Sequence, residues 1–204
     1  MEQYLLYGSG GHAKVVLECL LSEGKEVVGF FDDAPKNKLF KGIHVFEKYD
    51  AHTFAEAKLI VTIGNNEIRE KIVQKVSHTF GKAIYYKNII SSISEIGQGS
   101  MVLQGAIVHA DARIGNHVIL NTRSVVEHDC HIEDFVHIAP GAVVCGHAQI
   151  GKGTLVGANA AVAPFVKIGQ WCQISAGSSV TEDIPDFSLV AGVPGKVVKS
   201  LRKD

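Results

Sequence analysis

The sequence predicts a small α/β domain with a parallel sheet, followed by a parallel β-helix. Two observations predict this organisation: strands alternate with helices in the first part of the chain, and a repeat of period six runs from Ile90 to Val180. Strand–helix alternation is typical of parallel sheets, and a fixed short repeat is typical of stacked architectures. The predicted boundaries are 1–86 for the α/β domain, 87–182 for the β-helix and 183–204 for a C-terminal tail.

Composition excludes several classes of protein. The chain has 204 residues, 46% of them hydrophobic, and a formal net charge of −1. A near-neutral chain argues against nucleic acid as the partner. No apolar run approaches the ~18 residues of a membrane helix, so we expect no membrane association and a cytoplasmic location. The four cysteines lack the spacing of a zinc site or a disulfide framework.

The six-residue repeat carries the fold prediction. Every sixth residue is aliphatic, and the residue four positions after each is small or compact, from Ser94 to Ser178. The aliphatic positions are Ile90, Ile96, Val102, Val108, Ile114, Leu120, Val126, Ile132, Ile138, Val144, Ile150, Val156, Val162, Ile168, Ile174 and Val180. Period six is neither the 3.6 of a helix nor the 2 of a strand, and it fits a short strand plus a turn. One such unit cannot bury its apolar face alone, so the units must stack.

This pattern resembles the hexapeptide repeat of left-handed β-helix proteins, in which three hexapeptides form one triangular coil. Residues 90–180 then make about five coils of 18 residues. The left hand is implied by that resemblance.

The first 86 residues predict half of a Rossmann fold. Strands are expected at 4–7, 27–31, 59–63 and 83–86, and helices at 12–21 and 67–76. Gly8, Gly10 and Ala13 fit the G-x-G-x-x-A pattern between a strand and a helix, and Asp32 ends the next strand, where an acid can bind a ribose. Backbone N–H groups at a helix start suit a phosphate, although a plain tight turn is the alternative. Half a fold favours the diphosphate of a nucleotide sugar over NAD.

His128 is the candidate general base. Residues 18 apart lie on successive coils ~4.8 Å apart, which places this imidazole between two small residues, Ala110 and Gly146. Acetyl transfer to an amine needs a base that accepts the amine proton. Asp129 follows His128, and its carboxylate can fix the tautomer of the imidazole and raise its basicity. Asp129 also stacks on His147, a second possible partner. A lone histidine is otherwise more often structural.

A zinc site is the rival interpretation of the histidines. Gamma-class carbonic anhydrases use a β-helix and bind zinc through imidazoles. His131 and His137 occupy the same phase of successive hexapeptides, so they belong to different faces. We therefore predict no metal site within one chain.

Several segments together resemble one family. They are Tyr7-Gly8-Ser9-Gly10-Gly11-His12, Phe31-Asp32-Asp33, Ile63-Gly64-Asn65-Asn66-Glu67-Ile68-Arg69, Leu120-Asn121-Thr122, Glu127-His128-Asp129-Cys130, Phe135-Val136-His137 and Val193-Pro194-Gly195-Lys196. In this order they resemble the bacterial nucleotide-sugar acetyltransferases of the sialic-acid-O-acetyltransferase-like family. The nearest resemblance is to UDP-4-amino-sugar N-acetyltransferases of bacillosamine synthesis.

The resemblance implies a role for each matching residue. His128 is the base, Asp129 supports it where relatives often have Glu, and His137 lines the acetyl-CoA site. The cofactor groove is implied at Gly146, Ala158 and Ala176. The substrate side is implied at Gly10, Gly11, His12, Asp32, Asp33 and Gly64. The family also implies a homotrimer with each active site between two β-helices.

The predicted function is acetyl transfer from acetyl-CoA to the amine of a nucleotide-linked 4-amino-4,6-dideoxy sugar, by direct attack. The alternatives are O-acetylation of sialic acid or another sugar, a zinc lyase of the carbonic-anhydrase type, and a non-catalytic nucleotide-sugar sensor. Lys196 in the tail is expected either near a CoA phosphate or in a solvated segment.

Overall fold

A computed structural model describes residues 1–202, beginning with a three-layer α/β domain. Its helices are α1 (Gly11–Ser22) and α2 (Asn66–Val73). Its strands are β1 (Gln3–Tyr7), β2 (Glu26–Phe31), β3 (Leu39–Phe40), β4 (Ile43–Phe46) and β5 (Lys58–Val61). The strand order is β3-β4-β2-β1-β5, parallel except for the β3–β4 hairpin at one edge. Together with the β-helix that follows, this confirms the predicted fold class.

The β-helix has three faces, each a sheet of short strands. The first face contains β7 (Ile89–Ile90), β10 (Ile107–Val108), β13 (Val125–Val126), β16 (Val143–Val144), β19 (Ala161–Val162) and β22 (Ser179–Val180). The second contains β8 (Glu95–Ile96), β11 (Arg113–Ile114), β14 (His131–Ile132), β17 (Gln149–Ile150) and β20 (Lys167–Ile168). The third contains β6 (Ala83–Ile84), β9 (Met101–Val102), β12 (Ile119–Leu120), β15 (His137–Ile138), β18 (Leu155–Val156), β21 (Gln173–Ile174), β23 (Ser188–Ala191) and β24 (Lys196–Ser200).

The register of the coils follows the period of 18. His131 pairs with Arg113 below it and Gln149 above it, and the other coil strands pair in the same parallel register. The aliphatic and small positions of the repeat point inward and form one continuous core. Ile90 and Ile96, at the first coil, are only partly buried.

Two assignments from the sequence change. The strand expected at 83–86 is β6, and it pairs with β9 of the β-helix instead of joining the α/β sheet. β6 has only two residues, and so short a sequence does not indicate which of the two sheets the strand joins. The β3–β4 hairpin was not predicted, because its strands are short and one is exposed.

The predicted tail is largely an extension of the β-helix. β23 pairs in parallel with β21, and β24 then folds back antiparallel onto β23. Lys196 Nζ lies 3.0 Å from Glu182 Oε2, with both side chains exposed. Its contact with CoA therefore stays a prediction, and residues 203–204 lie outside the described chain.

The outward side chains differ from face to face. On the first face they are mostly aliphatic: Ile89, Ile107, Val125, Val143, Ala161 and Ser179. On the second they are polar or charged: Glu95, Arg113, His131, Gln149 and Lys167. On the third, Met101 and Ile119 are fully buried against the α/β domain.

Arg69 joins the two domains. This α2 side chain is fully buried, and its Nε donates to His117 O at 2.9 Å. Its Nη2 donates to Phe135 O at 2.8 Å, and its Nη1 to Ile63 O at 2.9 Å. Burial lowers the pKa of the Arg69 guanidinium to about 9, so it remains charged at neutral pH. These hydrogen bonds, called here the Arg69 clamp, hold the segment around Gly64 against the third face.

Within residues 1–202, no helix has the length and apolarity needed to cross a membrane.

Candidate active site

His128 and Asp129 lie in the turn after β13, on the edge between the first and second faces. His128 Nδ1 lies 2.8 Å from Asp129 Oδ2, which is hydrogen-bond distance. The aspartate therefore reaches the imidazole although it is one methylene shorter than glutamate. An ionised carboxylate only accepts, so the ring proton lies on Nδ1 and the Nε2 lone pair is free. The hydrogen bond from His128 lowers the pKa of the Asp129 carboxyl.

A second histidine completes this cluster. His147 Nε2 lies 3.7 Å from Asp129 Oδ2, and its ring meets the His128 ring edge-on at 5.2 Å. Phe165, one coil further, stacks on His147 with ring centroids 4.7 Å apart and planes 6° apart. The three side chains occupy the same positive-φ turn position, with Asp129 at 58°, His147 at 61° and Phe165 at 65°. The Asp129–His147 stack was expected from the sequence, and the support by Phe165 was not.

Gly146 provides the space that His128 occupies. A Cβ added at Gly146 would lie 2.8 Å from Cε1 and Nε2 of the imidazole, closer than real side chains pack. The ring therefore lies directly over the Gly146 backbone. With any larger residue at position 146, the His128 ring would have to move from this location.

His137 lies elsewhere, at the third face beneath the α/β domain. The Asn121 amide nitrogen lies 3.0 Å from its Nε2 and donates to it. The ring proton is then on Nδ1, which lies 3.4 Å from Gly64 O. The His12 ring lies 6.4 Å from that of His137, centroid to centroid. Burial lowers the pKa of both imidazoles to about 4, so both are neutral at pH 7.

The glycine-rich loop opens onto a cavity of about 430 Å³. Its lining residues are Ser9, Gly10, Gly11, Lys14, Asp32, Ala34, Lys36, Asn37, Leu39, Phe40 and Lys41. Three lysines beside the N-terminus of α1 form a site that suits a diphosphate. The sequence prediction missed these lysines, because Lys36 precedes the unpredicted hairpin and Lys41 lies in its turn.

The two acids after β2 are already engaged within the chain. Asp32 Oδ2 accepts from the backbone N–H and the hydroxyl of Ser9, at 2.8 and 2.6 Å. Asp33 Oδ1 accepts from the Tyr7 hydroxyl at 2.7 Å and does not line the cavity. Asp32 thus shapes the glycine-rich loop, and its contact with a ribose stays a prediction.

The predicted site residues fall into two groups. His128, Asp129 and Gly146 lie on the edge between the first and second faces. Ala158 and Ala176 stack on the opposite edge of the first face, where Gly177 N donates to Ala158 O at 2.8 Å. His137 and the glycine-rich loop lie on the third face, next to the edge that contains Ala158 and Ala176. A separate groove of about 720 Å³ on the second face contains none of these residues.

Two family models match most of the chain. The PglD N-terminal domain matches residues 3–76, and the bacterial transferase hexapeptide (six repeats) matches 111–146 and 147–182. A curated relative, serine acetyltransferase from Bacillus subtilis, is 30% identical over 142 residues, which are 63% of this chain. The match spans 65% of that relative, slightly under two thirds of its length.

Solved structures match over nearly the whole chain. The acetyltransferase domain of PglB from Neisseria gonorrhoeae is 31% identical with a TM-score of 0.89, covering 97% of this chain and 100% of that one. A mutant perosamine N-acetyltransferase from Caulobacter crescentus, in complex with CoA and GDP-perosamine, is 32% identical with a TM-score of 0.91, covering 98% of both chains. The chain therefore belongs to the acetyl-CoA-dependent nucleotide-sugar N-acetyltransferases that join a PglD N-terminal domain to a hexapeptide-repeat β-helix.

Proposed function

We propose that this chain acetylates the amine of a nucleotide-linked 4-amino-4,6-dideoxy sugar, with His128 as general base. The observation that carries the assignment is the 2.8 Å contact between His128 Nδ1 and Asp129 Oδ2. That contact leaves Nε2, the atom facing away from the carboxylate, as a proton acceptor. Asp129 then stabilises the imidazolium that forms, as a carboxylate does in other His-based catalysts.

The proton and electron transfers balance without a covalent enzyme intermediate. The amine nitrogen forms a bond to the thioester carbon, the C–S bond breaks, and Nε2 of His128 accepts the amine proton. The same atom then returns the proton to the CoA sulfur. Backbone N–H groups along the groove at Gly146, Ala158 and Ala176 are proposed to hold the acetyl-CoA and the charge that develops on its carbonyl oxygen.

The nucleotide is proposed to bind in the cavity of the glycine-rich loop. Gly10 and Gly11 bring backbone N–H groups to the start of α1, and Lys14, Lys36 and Lys41 add positive charge. The Caulobacter structure holds GDP-perosamine, whereas the sequence motifs resemble UDP-sugar enzymes. The nucleobase is therefore a variable of the test below.

The active site is proposed to form between chains of a homotrimer. The aliphatic outer surface of the first face is suited to pack around a threefold axis, because each copy contributes the same apolar surface. In that arrangement two different edges meet. The edge with His128, Asp129 and Gly146 of one chain (the His128 edge) lies against the edge with Ala158 and Ala176 of its neighbour. The two groups of site residues, which one chain keeps apart, then meet beside the neighbour's glycine-rich loop. The cytoplasmic location stays a prediction from the sequence.

The test is turnover with a panel of UDP-, dTDP- and GDP-linked 4-amino-4,6-dideoxy sugars. We expect acetylation of at least one, with a loss of ~10²-fold or more in His128→Ala. His131→Ala, an exposed imidazole on the second face, is the matched control and should keep full activity. An unaffected His128→Ala would contradict the assigned base. Turnover with sialic acid but with no amino sugar would favour O-acetylation instead.

A further inference from the structure

The cluster on the His128 edge contains one donor group, the His147 imidazole, that the proposed acetyl transfer does not use. The ligand atoms of His128, Asp129 and His147 all lie within 4.8 Å of one another, and the three side chains are about half exposed. Two imidazole nitrogens and a carboxylate oxygen are the donor set that Zn²⁺ and its neighbours in the first transition row prefer.

We propose that His128, Asp129 and His147 form an inhibitory transition-metal site, at which Zn²⁺ binding switches off the His128 base. This inference rests on the proposed function of His128.

The distances fit tetrahedral coordination after small side-chain rotations. Ligand atoms at Zn–N and Zn–O distances of ~2.1 Å lie ~3.4 Å from one another. His147 Nε2 lies 3.7 Å from Asp129 Oδ2, and His128 Nδ1 lies 2.8 Å from it. The His147 contact must shorten by a few tenths of an ångström and the His128 contact must lengthen, while the imidazole nitrogens of the two histidines, which lie within 4.8 Å of each other, must reach the same spacing. Half-exposed side chains allow this, and water can supply the fourth ligand.

The position and orientation of His147 suit a metal ligand. Its ring stacks flat on Phe165, which limits its rotation while Nε2 faces the carboxylate. A further carboxylate, Glu127, is part of the same turn segment, and its Oε1 lies 3.8 Å from His109 Nε2. It adds negative charge near the cluster, which favours a cation.

Coordination changes the tautomer of the base. In the free site the single proton of neutral His128 is on Nδ1, facing Asp129, and Nε2 accepts the substrate proton. A metal ion on Nδ1 takes the lone pair of that atom, so the ring proton moves to Nε2. Nε2 then donates and no longer accepts. The ion therefore stops catalysis without having to fill the substrate groove.

The experiment measures Zn²⁺ binding by titration calorimetry and turnover by mass detection of the acetylated sugar. Mass detection is needed because free CoA thiol also binds Zn²⁺. The variant is His147→Phe, because phenylalanine already occupies the equivalent position, Phe165, at the same backbone angle. His131→Phe removes an imidazole outside the cluster, and Cys145→Ser removes the half-buried thiol on the same edge.

We expect one Zn²⁺ per chain in the wild type, with inhibition that a chelator reverses. In His147→Phe the affinity should fall by at least about tenfold, and half-inhibition, relative to the variant's own rate, should need at least about tenfold more Zn²⁺. The two controls should match the wild type. Equal affinity in His147→Phe, or Zn²⁺ binding without inhibition, would overturn the proposal. Binding that depends on His147 in a protein without turnover would instead place the failure in the proposed function.

Discussion

The first and second faces of the β-helix share one backbone and differ in their outward chemistry. Both are parallel sheets of two-residue strands in the same 18-residue register. At matching outward positions the first face has Val125 and Val143, and the second has His131 and Gln149. Inward positions are aliphatic on both faces, because each coil must bury them. The fold therefore fixes the inward residues, and the outward residues record what each face contacts.

On the third face, the outward residues contact another domain of the same chain. There Met101 and Ile119 are outward and apolar, like the first face, and the α/β domain buries them completely. The outward residues of the first face are also mostly apolar, and no part of residues 1–202 buries them completely. The comparison predicts that other copies of the chain cover it.

A charge on the first face should have the largest effect. Val125→Glu places a carboxylate in the proposed interface, where burying an unpaired charge costs several kcal/mol. We expect the mass in solution to fall from that of a trimer to that of a monomer, with activity reduced about 100-fold or more. Light scattering and the acetylation assay measure the two effects. Gln149→Glu, the equivalent change on the second face, should leave both unchanged; a trimer that survives Val125→Glu would refute the assigned interface.

Removing the hydrogen bonds that join the α/β domain to the third face should have the next largest effect, on stability. Arg69→Met leaves the carbonyl oxygens of Ile63, His117 and Phe135 without their donor, and each buried unpaired group costs about 1–3 kcal/mol. We expect the free energy of unfolding to fall by about 3 kcal/mol or more, measured by urea denaturation. Arg113→Met, on the exposed second face, should change it by less than about 0.5 kcal/mol. Equal effects would show that the clamp contributes little.

Filling the space beneath His128, the proposed base, should reduce catalysis without unfolding the protein. In Gly146→Ala the new methyl lies 2.8 Å from the His128 ring and must push it aside. We expect kcat to fall by about tenfold, which corresponds to about 1.4 kcal/mol. Affinity for the nucleotide, which is proposed to bind at the glycine-rich loop, should stay the same because the added methyl contacts the His128 ring, as calorimetry with the nucleotide would show. A variant with wild-type kcat would mean that the observed ring position is not the catalytic one.

Acid stability should separate buried from exposed histidines. Burial, and secondarily Arg69, lowers the pKa of His117 to about 4, against about 6.5 for a histidine in the unfolded chain. Between these values the unfolded state binds the proton and the folded state does not. Stability is therefore full above pH 6.5 and falls as the pH drops toward 4.

His117→Phe should reduce that loss. The ring already packs between Phe135, stacked at 5.1 Å, and Phe80, edge-on at 4.4 Å, so a phenyl ring suits the site. We expect the drop in the free energy of unfolding between pH 7 and pH 5 to be smaller by about 2 kcal/mol, because the pKa of about 6.5 in the unfolded chain lies ~1.5 units above pH 5. His131→Phe on the second face should not change the drop. An identical drop in both variants would mean that other groups set the acid sensitivity.

The repeat made the β-helix predictable from sequence, because inward positions recur every six residues and tolerate only aliphatic or small side chains. The stack of His128 over Gly146 followed from the same arithmetic. What could not be predicted depends on contacts between distant segments. Arg69 joins α2 to two turns of the β-helix, and the lysines of the cavity at the glycine-rich loop come together only through the β3–β4 hairpin. The engagement of Asp32 by Ser9 is a local loop geometry that a motif does not specify.

Each active site is proposed to combine the His128 edge of one chain with the His137 region of the next. Mixed trimers test this arrangement most directly. His128→Ala and His137→Ala are each expected to be inactive as homotrimers, and they are co-expressed with different tags and purified through both. Every trimer that carries both tags contains both variants, and one of its three sites then receives both intact groups, so we predict about a third of the wild-type activity. Mixed trimers as inactive as their parents would show that the site lies within one chain and would contradict the account.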